Sequence, residues 1–159
     1  MTQERAYDLA QFNVALMKAA LDDPIMHGFV EGLARINALA DAAPGFVWRH
    51  IGDPADAATY YPMGDRTLVN LSVWANSLAL KEYVYRSDHT DYLRARREWF
   101  EPMREASVVL WWVPRGHRPS VAEAIERLEQ LRAHGATPHA FTFSNDFPPP
   151  VAGSPEATA

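Results

Sequence analysis

The chain has 159 residues, 48% of them apolar, enough for one domain with a buried core and too few to expect two. Its net charge of −5, with Lys and Arg scattered among acids, offers no basic stripe to a phosphate backbone, so nucleic acid is not an expected partner. Zero cysteines exclude disulfides, thiolate nucleophiles and cysteine-ligated clusters. No window approaches the roughly 18 to 20 apolar residues of a membrane helix, and MTQERAYDLAQ carries no signal-peptide run. The expected compartment is therefore the cytoplasm, with no membrane contact.

Residues 8–15, DLAQFNVA, alternate, with Ala10, Phe12 and Val14 on one side and Leu9, Gln11 and Asn13 on the other, which reads as a strand. Asp22 or Asp23 can cap a helix whose first position is Pro24. Met26, Phe29, Val30, Leu33, Ile36 and Ala40 give it an apolar stripe, and Pro44-Gly45 ends it. Phe46 to Ile51 forms a short second strand, and GDPADAATYYPMGD a turn-rich loop. In TLVNLSVW, Val69, Leu71 and Val73 make an apolar side opposite Leu68, Asn70, Ser72 and Trp74, a third strand. Ser77 can cap a helix of Leu78 to Tyr85, and Ser87 or Asp88 a second one running to about Glu101. SVVLWWV, from Ser107 to Val113, is a fourth strand, apolar on both faces and stopped by Pro114. Ser120 and Glu123 match a capping box for a last helix with Val121, Ile125, Leu128 and Leu131 inward, closed by Gly135.

This order suits an α+β fold, a ferredoxin-like antiparallel four-stranded sheet with helices on one face. Residues 1–143 form the single domain, and 144–159, rich in Pro and small polar residues, an extended arm followed by disorder. The aliphatic sets Ala10, Phe12, Val14 and Val69, Leu71, Val73 are expected to face the helices. The other face carries Gln11, Asn13, Asn70, Ser72 and Trp74, with Trp48 and His50 as further candidates. Such an amide-and-indole face suits a cavity with a few placed polar groups. Its alternatives are an ordinary solvated face or a wet interface with a second subunit.

Tyr85, His89, Tyr92, Arg96 and Trp99 fall within a sector of about 80° if the stretch YRSDHTDYLRARREWF is one helix. An inward helical arc is ordinarily aliphatic, so His89 and Arg96 need partners or a ligand. His89 near a helix N-terminus is held toward its neutral form and could act as a base, or it could be bonded to a neighbouring element. Arg96 could hold an anionic or carbonyl group, or pair with an acid such as Glu82. Trp111 and Trp112 extend the aromatic neighbourhood, and His117 sits in the rigid PRGHRP loop, where functional groups often occur. The remaining histidines show no zinc-like spacing, and phosphate loops and GxSxG elbows are absent, so no metal site is expected.

The blocks LVNLSVW, YVYRSDH, RREWF, VLWWVPRGHRP, RLEQLRAHG and TPHAFTF, in this order, resemble the bacterial family catalogued as domain of unknown function 3291. That resemblance spans roughly Leu9 to Phe147 and implies the dimeric α/β-barrel superfamily, hence a homodimer. PGF, the SVW strand and a short helix ending near a histidine also resemble antibiotic-biosynthesis-type monooxygenases. The resemblance implies a small hydrophobic molecule bound between sheet and helices, with Asn70 and Trp74 at cavity-lining positions and His89 where some relatives have a functional histidine.

Three readings follow. The first is an enzyme with oxygenase-like or isomerase-like activity on an aromatic or polycyclic substrate, without a cofactor. In it His89 moves a proton and Arg96 stabilises negative charge. Asn13, Asn70, Ser72, Trp74, Tyr85, Tyr92, Trp99, Trp112 and His117 bind the substrate. The second uses haem, with His89 or His117 as axial ligand. The third is a non-catalytic carrier or sensor of a hydrophobic metabolite.

Overall fold

The alternation in residues 8–15 becomes the spine of a sheet. The computed structural model of the chain describes residues 5–53, 55, 60–86 and 95–150. Strand β1 (Tyr7–Met17) pairs antiparallel with β3 (Thr67–Trp74) on one side. On its other side lie the two-residue β4 (Phe100–Glu101), beside Leu16 and Met17, and β5 (Val108–Pro114), beside Tyr7 to Asn13. The edge strand β2 (Phe46–Arg49) pairs antiparallel with β3. The order β2-β3-β1-β5, with β4 continuing the β5 side, is the ferredoxin-like plan.

Local signals explain the helices. The Asp23 carboxylate accepts the Ile25 amide at 3.0 Å and starts a 3-10 turn, Pro24–Met26, that runs into α1 (His27–Ala42). Helix α2 (Ser77–Arg86) is capped one residue earlier than Ser77, since the Asn76 side-chain oxygen accepts the Ala79 amide at 2.8 Å. The short α3 spans Arg96–Trp99 and is followed directly by β4, so Phe100 and Glu101 are strand and not the end of a helix. Helix α4 (Val121–His134) starts where the Ser120 hydroxyl accepts the Glu123 amide at 3.1 Å and stops at Gly135, whose φ of 74° suits glycine. Residues 87–94, which include His89 and Tyr92, lie outside the described residues.

Helices cover both faces of the sheet. The aliphatic face, Ala10, Phe12, Val14, Leu71, Val73, Val109, Trp111 and Val113, packs on Ala124, Leu128 and Leu131 of α4. Trp48 also sits on this side, with the Arg118 guanidinium over its ring at 6.0 Å. The mixed face carries α1 and α2: Leu9, Trp74 and Leu110 meet Ala40 of α1 and Leu80 of α2. The aliphatic set thus faces a helix as expected, but the amide-and-indole face is covered as well, by α1 and α2.

A third cluster, Met17, Met26, Phe29 and Trp99, closes the far end of α1 on the same face. The chain beyond Phe143 also contributes: Phe147 packs on Phe141 at 5.8 Å, and its carbonyl accepts the Trp112 indole N–H at 2.8 Å. The arm thus seals one end of the core. Among the described residues, no helix is long and apolar enough to cross a membrane.

Candidate functional site

Residues two apart on a strand share a face, and the register lines three rows across β3, β1 and β5 under α1 and α2. They are Trp74–Leu9–Trp112, Ser72–Gln11–Leu110 and Asn70–Asn13–Val108. Five of the candidate residues, Asn13, Asn70, Ser72, Trp74 and Trp112, are thereby brought together. Gln11 joins them, and its alternation with Asn13 in β1 is the sequence signal for it.

The polar groups are wired in series. The Trp74 indole N–H donates to Ser72 Oγ at 2.9 Å, the Ser72 hydroxyl donates to Gln11 Oε1 at 2.9 Å, and Gln11 Nε2 donates to Asn13 Oδ1 at 2.6 Å. Trp74 is 1% exposed, Ser72 6% and Gln11 7%, whereas Asn13 is half-buried and Asn70 exposed. The wire therefore runs from a dry end to an open end. Buried polar groups of this kind are costly unless each is bonded, and here they are bonded chiefly to one another.

Aromatic groups close the dry end. The Tyr83 ring of α2 stacks on Trp74 at 5.1 Å, Phe46 meets its edge at 5.4 Å, and the Tyr83 hydroxyl donates to the Ile36 carbonyl of α1 at 3.1 Å. Burial, with the Asp41 carboxylate adding and Arg49 opposing, pushes the Tyr83 hydroxyl up to about 12. At the other end Phe29 packs on Trp99 at 5.7 Å and on Phe100 at 5.1 Å. Gly28 lets α1 come close there, since a Cβ would lie 3.2 Å from Trp99. The polar rows thus lie between two aromatic clusters, with Ile36 of α1 buried between the turns that anchor it at Phe29 and Ala40.

The other candidates are dispersed. Tyr85, 61% exposed, meets the Phe143 ring edge-on at 6.2 Å, away from the polar rows. Trp99 points inward and Arg96 outward, so α3 does not present them on one side. Arg96 lines an open depression of about 630 Å³ with Lys18, Arg97, Phe100 and Met103, where β1 passes from β5 to β4. Ala15, next after Asn13 on that face, also borders it. Trp112 belongs to the uppermost row, its indole N–H held by Phe147.

His117 stands elsewhere, in the loop before α4, where its Nε2 lies 2.8 Å from Glu123 Oε1. The other oxygen of Glu123 accepts the Trp111 indole N–H at 2.9 Å, so this carboxylate serves β5 and the loop and does not return to the Ser120 amide as a capping box would. The His117 side chain is half-exposed and lies apart from the polar rows. Among the described residues, no three His, Asp or Glu side chains are grouped to hold a metal ion.

Fold and site define an α+β ferredoxin-like protein with an uncharged polar patch under its two crossover helices. The chain belongs to the family described as Domain of unknown function (DUF3291), whose model matches residues 8–157. No curated protein matches it. Among solved structures it is similar to SnoaB, a cofactor-independent oxygenase from Streptomyces nogalater, at 20% identity over 72% of this chain and 100% of that one, with a TM-score of 0.49. A protein of unknown function from Nitrosomonas europaea is similar at 12% identity over 72% and 95% of the two chains, TM-score 0.47. A dabb family protein with a ferredoxin-like fold from Mesorhizobium loti is similar at 16% identity over 71% and 98%, TM-score 0.41.

Proposed function

We propose that the chain binds a small aromatic or polycyclic molecule over the Asn13–Asn70 row and acts on it by an oxygenase-like or isomerase-like reaction. The observation that carries the reading is the uncharged polar wire on a sheet face otherwise packed with aliphatic and aromatic side chains. A solvated face would not bury Ser72 and Gln11, and a dry core would not contain them. An organic ligand with an apolar body and one or two polar atoms matches both parts. The aromatic rings of the flanking clusters supply apolar contact, and the amides at the open end fix orientation. In this reading His89 is the proton-transfer group and Arg96, from the adjoining depression, the cation for developing negative charge.

A carrier is the second reading, favoured by one observation: the rows themselves hold no ionisable side chain, and Arg96 faces outward. Native mass spectrometry of protein purified from its own host tests the shared part, the expected result being a bound organic molecule of a few hundred daltons. Protein that carries nothing and binds no aromatic probe would end both readings. His89→Ala then separates them: lost turnover with retained binding marks the enzyme, and no turnover by either form marks the carrier. A homodimer belongs to the same proposal and is checked by light scattering. Because α4 covers the aliphatic sheet face, two such faces can pair only if α4 is displaced.

A further inference from the structure

We infer that Gln11 and Ser72 are positioning residues that turn the Asn13 amide N–H2 outward, so that the site selects a ligand oxygen acceptor, a ketone, quinone or enolate oxygen. The inference rests on the binding reading above and deepens it. An indole N–H can only donate, so Ser72 Oγ accepts a hydrogen bond from Trp74. The single hydroxyl proton of Ser72 must then find an acceptor, and among the described residues its bonded acceptor is Gln11 Oε1.

With its oxygen engaged, Gln11 turns its N–H2 to Asn13 and meets the Asn13 oxygen at 2.6 Å. Asn13 is left to present nitrogen, a donor, to the open end beside Asn70. The reverse order, with Gln11 donating to Ser72, would strand the hydroxyl proton of a side chain only 6% exposed. Three buried groups thus decide the polarity of a fourth. Asn70, whose side chain is bonded by no described residue, can turn either way and adds a second donor to the same oxygen.

The test is calorimetric titration of the full chain with 1-tetralone, which offers one oxygen acceptor, and with tetralin, which offers none. Wild-type protein should bind tetralone at least about tenfold tighter. Gln11→Glu places an acceptor where Asn13 now finds a donor, so Asn13 turns its own N–H2 inward. Asn13→Asp removes the donor directly. Each should erase the preference, read as the ratio of tetralone to tetralin affinity within the same variant.

A retained preference in Gln11→Glu together with a lost one in Asn13→Asp overturns the relay and leaves the binding reading standing. Binding of neither probe by wild type removes that reading and the relay with it. Should the variants fail to fold, nitrogen-resolved NMR of wild type decides. Tetralone, and not tetralin, should move the Asn13 side-chain N–H2 signals, and unmoved signals in tetralone-saturated protein overturn the inference.

Discussion

Tyr83→Phe removes one oxygen from the group that closes the dry end of the wire. At neutral pH the loss is the hydrogen bond to the Ile36 carbonyl at 3.1 Å, a net cost of about 1 kcal/mol, with the stacking on Trp74 kept. Alkaline pH adds a larger, opposite effect. The folded hydroxyl titrates at about 12 against an ordinary 10, so the unfolded chain loses this proton first and stability falls as pH rises from about 10 to about 12. Below that window the contribution is fully present. Two pKa units correspond to about 2.7 kcal/mol, reduced to about 1–2 kcal/mol because the ring is only partly buried and solvent screens the Asp41 carboxylate. Urea unfolding of both proteins from about pH 8 to about pH 12 should show wild type ahead at the lower end and level or behind at the upper. A difference that does not change with pH would refute the placement of this hydroxyl between α1 and α2.

Gly45→Ala should destabilise by about 2–4 kcal/mol in the same unfolding assay, because φ is +83° and a Cβ would stand 2.5 Å from that of Ala79. Glu123→Ala should cost about 1–3 kcal/mol by leaving the buried Trp111 indole without its acceptor. His117→Ala should cost under about 0.5 kcal/mol, the pair being half-exposed; equal losses would contradict this division of the carboxylate. Phe147→Ala should cost about 2–3 kcal/mol and red-shift Trp112 fluorescence, since Phe147 packs in the cluster with Leu9, Trp74 and Phe141. Unchanged stability would return residues 144–150 to the role of a loose arm.

The strands were legible because their period of two is written in residues 8–15 and 67–74, and the caps at Asp23 and Ser120 because short polar side chains precede apolar runs. The side of the sheet that each helix takes was not. Both sets of β1 residues can be buried, and an amphipathic stripe does not say which set it meets. Leu128 and Leu131 of α4 match the aliphatic set, which leaves Gln11, Ser72 and Trp74 to α1 and α2.

The end of the stretch from Tyr85 to Phe100, from Arg96 on, differs from its reading for a related reason. Its apolar spacing assumes one continuous helix, yet Arg96 and Trp99 occupy a single turn that stops where Phe100 pairs with Met17. A tertiary pairing overrode the local pattern there. Phe147 was hidden by composition, because three prolines after it mask one aromatic anchor before them. The hydrogen-bonded wire needed register as well as alternation, since Ser72 and Gln11 are 61 residues apart.

The decisive experiment on ligand binding at the polar rows is a crystal structure of the protein saturated with a bicyclic ketone such as 1-tetralone. Ligand density is expected over the Asn13–Asn70 row beneath α1, with the carbonyl oxygen within hydrogen-bond distance of Asn13 Nδ2. Density confined to the depression beside Arg96 and Lys18, with the row empty, would contradict the proposed site.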